Sequence, residues 1–77
     1  MGGEAEGQLR RRAVAAHARV VAAQAELIAC IAAVDEAEAW RGEGARGTAD
    51  WLVAACNVTD ATAGEWVRLA RDLAQLP

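Results

Sequence analysis

The 77-residue sequence contains no lysine, serine, phenylalanine or tyrosine, and only one histidine, one proline and two cysteines. Each absence removes a class of chemistry. Without serine, and with no histidine at motif spacing from Cys30 or Cys56, nucleophilic triads have nothing to be built from. The two cysteines stand 26 residues apart with no second cysteine near either, so neither a CxxC redox pair nor a zinc knuckle is available, and buried free thiols are expected. His17 has no cysteine or carboxylate at ligand spacing, and reads as a helix-surface residue, not as a metal ligand or a base. The segment Gly42-Glu43-Gly44-Ala45-Arg46-Gly47 lacks the lysine and the preceding strand of a phosphate loop. No catalytic residue, metal, cofactor or small-molecule substrate is expected, and the chain reads as non-enzymatic.

Positive charge is also scarce. Eight arginines face eleven acids, for a net charge of −3, which opposes a generic nucleic-acid binder while leaving room for a local basic patch. The most apolar run, Val20 to Val34, is 15 residues long and contains Gln24 and Glu26, too short and too polar to span a bilayer. Asn57-Val58-Thr59 matches a glycosylation acceptor, but Met1 to Gln8 lacks the pattern of a secretory signal, so a cytoplasmic address is expected.

Alanine dominates what is present, and the fold class that follows is all-α. Met1 to Gly7 carries three glycines and two glutamates and reads as a flexible N-terminus. From Leu9, apolar residues recur at Ala13, Ala16, Val20, Ala23, Leu27, Cys30, Val34 and Ala37 in alternating steps of four and three, the pattern of a heptad seam. A second stripe of Val14, Val21, Ala25, Ile28 and Ile31 runs beside it, wider than a two-stranded coiled coil needs and suited to a helical bundle. A long helix over about 8–39 follows, roughly 48 Å at 1.5 Å per residue. Its arginines Arg10, Arg11 and Arg12 sit toward the N-terminus and Asp35, Glu36 and Glu38 toward the C-terminus, opposed to the helix dipole. An antiparallel second copy would bring those two ends together.

Gly42, Gly44 and Gly47 break the pattern and place a turn over 40–47. Thr48 is the expected cap of a short helix over about 48–56, Asn57 its left-handed stop, and Thr59 the cap of a last helix over about 60–76. Residues 8–77 then form a single helical domain in which Trp40, Trp51 and Trp66 lock the glycine turn onto the two short helices. Those helices have helix-turn-helix spacing, with Leu52, Cys56, Val58, Ala63 and Trp66 at the positions that motif buries. From Thr48 onward, however, Arg68 and Arg71 face Asp50, Asp60, Glu65 and Asp72, a net of −2 that serves a recognition helix poorly. If DNA is touched, Arg41, Arg46, Arg68 and Arg71 are the candidate contacts.

Trp40-Arg41-Gly42-Glu43-Gly44-Ala45-Arg46-Gly47-Thr48-Ala49-Asp50-Trp51-Leu52, and then Val67-Arg68-Leu69-Ala70-Arg71-Asp72-Leu73-Ala74-Gln75-Leu76-Pro77, resemble an actinobacterial family, the domain of unknown function 222 or 13E12 repeat family. The shared pattern is a tryptophan, a glycine-alanine turn, a threonine or serine, Trp-Leu, and a leucine-arginine helix closing on Leu-Pro. Asn57, where that family usually has glycine, and the acidic Asp60 and Glu65 depart from it. The resemblance implies the non-catalytic N-terminal helical part of a protein associated with an HNH endonuclease, from an actinobacterium or mycobacteriophage. With a single histidine the chain itself cannot hold the HNH site.

Two binding classes therefore remain. The first is a helical interaction or oligomerisation module, a homo-oligomer or the partner of another helix, using Val20, Val21, Leu27, Ile28, Ile31 and Val34. The second is a small helix-turn-helix DNA-binding or regulatory protein of a phage or mobile element. The negative charge favours the first.

Overall fold

The computed structural model describes residues 2–76, which form three α-helices with no strand. These are α1 (Gly2–Ala37), α2 (Thr48–Cys56) and α3 (Asp60–Ala74), with a short 3-10 turn at Arg41–Glu43 between α1 and α2. The all-α architecture of one long helix followed by two shorter ones is the one the periodicity and caps indicate.

The long helix begins earlier than its sequence pattern. Residues 2–7, expected to be flexible, continue α1, while Met1 of that segment lies outside the described residues, as does Pro77. Once Leu9 onward is helical, each residue added toward the N-terminus gains a hydrogen bond while ordering only itself, which offsets the glycines. The earlier start also puts Glu4 in the first turn, where the dipole favours it, and moves Arg10 to Arg12 beyond the reach of the N-terminal field. At the other end, Glu38 terminates the helix with φ of 51°. Its N–H donates to the Asp35 carbonyl at 3.2 Å, and the Ala39 N–H donates to the Val34 carbonyl at 3.0 Å. These bonds make a Schellman motif with glutamate at the left-handed position glycine usually holds.

Of the turn glycines, only Gly44 adopts a left-handed conformation, with φ of 75°. Thr48 is not the cap expected of it. It is the first residue of α2, behind Gly47, and Asp50 instead reaches back so that its Oδ2 accepts the Arg46 backbone N–H at 3.0 Å. Asn57 ends α2 at φ 54° and ψ 47°, and Thr59 caps α3 by accepting the Thr62 N–H at 3.1 Å, as their chemistry predicts. The last helix closes at Ala74, two residues short of its expected end.

Ile31 from α1, Leu52 from α2 and Ala63, Val67 and Ala70 from α3 make the core, with Leu27, Ile28, Ala32, Trp51, Val58 and Trp66 packed partly against it. Ala63 and Ala70 have no exposed surface, so their small side chains set how closely α3 approaches its neighbours. All the α1 residues in this core come from its C-terminal half. The rest of α1 projects alone, which gives extents of 57 × 32 × 19 Å. The radius of gyration is 17.2 Å, against about 11.5 Å for a compact chain of this length.

Candidate interaction surface

One carboxylate bonds to both α2 and α3 across the junction with α1. Asp35, on the last full turn of α1, accepts hydrogen bonds from Arg71 Nε at 3.0 Å and Arg71 Nη2 at 2.9 Å on α3, and from the Thr48 hydroxyl at 2.6 Å on α2. Thr48 is the buried polar side chain of the core region, 2% exposed, so its hydroxyl depends on Asp35 for a partner. The Arg71 guanidinium, and then the Thr48 hydroxyl, hold the Asp35 carboxyl below the usual carboxylate range, while Asp35 raises Arg71. An acid that the α1 dipole disfavours is thus neutralised by an arginine from the far end of the chain.

The four candidate DNA contacts are each engaged with a carboxylate. Arg41 pairs with Glu38, Arg46 lies 4.0 Å from Asp50, Arg68 bridges Glu65 and Asp72, and Arg71 holds Asp35. Hydrogen bonding to Glu65 raises the Arg68 guanidinium further. Arg46, Arg68 and Arg71 do line one open depression between α2 and α3, but Asp50 and Asp72 line it with them. That surface is mixed in charge, not basic. Arg41 stands apart, its guanidinium 5.2 Å from the Trp40 ring centroid.

The expected association residues divide into two groups. Ile31 is 2% exposed, sealed under its own α2 and α3, and cannot belong to an outer face. Leu27 and Ile28 are half-buried against the same core and Val34 is half-buried. Val20 and Val21 are exposed, at 53% and 50%, and they continue on α1 with Leu9 and Val14, also open to solvent. Leu9 and Val14 are thus exposed apolar residues beyond the expected six, already contained in the heptad and its neighbouring stripe. Where this bare face meets the covered half, Gln24, Ala25, Leu27, Ile28, Trp66 and Leu69 line a small, largely apolar notch.

Two further expectations are corrected. Cys30 and Cys56 are free but exposed, because α2 and α3 pack on the Ile28–Ile31 stripe and leave the Cys30 side of the seam open, while Cys56 ends α2 facing outward. The tryptophans do not form a sealed core. All three are half-buried, Trp51 and Trp66 against the core and Trp40 beside the Asp35 junction. Among the described residues no group of three His, Cys, Asp or Glu side chains could hold a metal ion, and no helix is long and apolar enough to cross a membrane.

Comparison with known proteins finds no matching family model, no matching curated protein and no matching solved structure.

Proposed function

We propose that the chain is a non-catalytic helical oligomerisation and interaction module whose working surface is the bare N-terminal half of α1. The observation that carries this reading is the exposure of Leu9, Val14, Val20 and Val21 on a helix that its own chain covers only from Leu27 onward. Soluble monomers rarely leave an apolar stripe of that length open. The total accessible surface, 5863 Å², exceeds the roughly 4500 Å² of a compact monomer of this mass. The helix that accounts for the difference is well formed but has nothing to pack on.

The resemblance at Trp40–Leu52 and over 67–77 supports placing such a module beside a nuclease of the HNH type, with the catalytic histidines supplied by another segment or protein. Free, exposed thiols suit a reducing, cytoplasmic setting. The helix-turn-helix shape of α2 and α3 supports DNA binding less well, since the arginines that would meet phosphates are already paired with carboxylates.

Sedimentation equilibrium of the chain and of Val20→Glu, with tryptophan fluorescence as the measure of folding, tests the reading. The chain should sediment above its 8.1 kDa mass and Val20→Glu at that mass, with the same urea midpoint when both are dilute. A single-chain mass at high micromolar concentration contradicts it. Fluorescence anisotropy with duplex DNA should show no binding at low salt, and tight binding lost in Arg68→Ala would favour the DNA reading instead.

A further inference from the structure

Building on the module reading, we infer that the occupant of the heptad seam on the bare half of α1 is the same seam of a second copy, lying antiparallel, with Leu9 of each chain seated over Leu27 of the other. Three observations converge on that geometry.

The first is the pairing pattern. Leu9 and Leu27, Ala13 and Ala23, and Ala16 and Val20 lie symmetrically about residue 18, so an antiparallel copy matches the whole seam to itself without a shift. In this register Leu9 of the second copy arrives beside Leu27 at the apolar notch of Gln24, Ile28, Trp66 and Leu69, where the face covered by α3 gives way to the bare one. The notch takes a side chain that is otherwise 60% exposed.

The second is charge. Flanking the seam on one side are Arg12, Arg19 and Glu26. Antiparallel pairing sets Arg12 of each chain near Glu26 of the other, two opposite-charge pairs against the one like-charge contact of Arg19 with its own copy, whereas a parallel pair would line up Arg10, Arg11 and Arg12 with their own copies. The alternative antiparallel register, with Arg10 to Arg12 opposite Asp35 to Glu38, leaves only Glu36 of those acids outside an ion pair among the described residues. Asp35 is occupied by Thr48 and Arg71, Glu38 is paired with Arg41, and Ile31 lies under α2 and α3.

The third is area. The surface in excess of a compact monomer is roughly 1400 Å², comparable with the about 800 Å² that each partner contributes to a stable interface of standard size. The stretch from Leu9 to Leu27 offers about 27 Å of helix to the contact.

Disulfide trapping tests the orientation and register in a background of Cys30→Ala and Cys56→Ala, both exposed positions. Chains carrying Ala13→Cys and chains carrying Ala23→Cys are mixed and oxidised. The mixed disulfide should exceed either homodisulfide by about tenfold, because residue 13 of one chain lies beside residue 23 of the other and roughly 15 Å from its own copy, beyond disulfide reach. Three results overturn the inference: a homodisulfide from Ala13→Cys alone, which marks a parallel pair; association without the mixed disulfide, which marks another register; and a single-chain mass in sedimentation. The first two leave the module reading standing, and only the third removes it as well.

Discussion

Asp35 and Arg71, 36 residues apart in sequence, form a two-bond ion pair that ties the C-terminal end of α1 to α3, with N–O distances of 3.0 and 2.9 Å. The pair lies at the edge of the packed junction, where Ile31 of α1 meets Leu52, Ala63, Val67 and Ala70, and so belongs to the covered half of α1.

The two partners are not equivalent, and mutation should show it. Arg71 is 60% exposed and can be rehydrated, whereas Asp35 is 22% exposed and also satisfies the buried Thr48 hydroxyl. Asp35→Ala should cost about 2 kcal/mol, because it leaves a buried donor without a partner, and Arg71→Ala about 1 kcal/mol. Urea denaturation followed by tryptophan fluorescence gives both values, and a larger loss for Arg71→Ala would contradict the asymmetry.

The same carboxylate sets an acid limb. Its folded-state pKa lies below its unfolded value of about 3.9, so its stabilisation is complete above that pH and is lost as pH falls through the lower, folded-state value. Stability should therefore decline below about pH 4. Asp35→Asn should be less stable at neutral pH and show a shallower decline. Parallel acid titrations of the two proteins would contradict the assignment.

Backbone conformation gives a separate prediction at Glu38 and Gly44. Both Glu38→Gly and Glu38→Ala remove the exposed pair with Arg41, so the difference between them isolates the left-handed backbone. The glycine variant should be the more stable by about 1 kcal/mol, and Gly44→Ala should lose a similar amount. Thermal unfolding with equal midpoints for the two Glu38 variants would rule out the conformational argument.

Gly64 is the opposite case. It lies exposed in the interior of α3, and an added Cβ would meet nothing within 4 Å. Gly64→Ala should therefore stabilise the chain by about 1 kcal/mol through helix propensity, read as a higher urea midpoint with unchanged slope. Destabilisation would mean that α3 is more tightly packed there than its geometry shows.

The local chemistry of Thr59, Asn57 and the 3.6-residue period made the helices and the bounds of α2 legible in the sequence. Contacts between distant residues were not legible. Nothing near Thr48 indicates that its hydroxyl turns from its own helix end to Asp35, because the reason lies in α1 thirteen residues earlier. Cys30 illustrates the same limit on the candidate surface. The heptad and the neighbouring stripe both mark α1 as apolar, but which stripe is buried depends on where α2 and α3 pack, so Cys30, expected to be buried, is exposed, and Ile31, expected on an association face, is sealed in the core. Val20 and Val21 are exposed because no element of the chain reaches them.

Amide hydrogen exchange along α1, at a concentration where the chain assembles, tests most directly whether the bare half is a working interface. Amides from Ala13 to Ala23 should be protected to the same order as those from Leu27 to Asp35, and Val20→Glu should strip protection from the first group while leaving the second intact. Rapid exchange from Ala13 to Ala23 in the unmodified chain, matching that of Val20→Glu, would contradict the account.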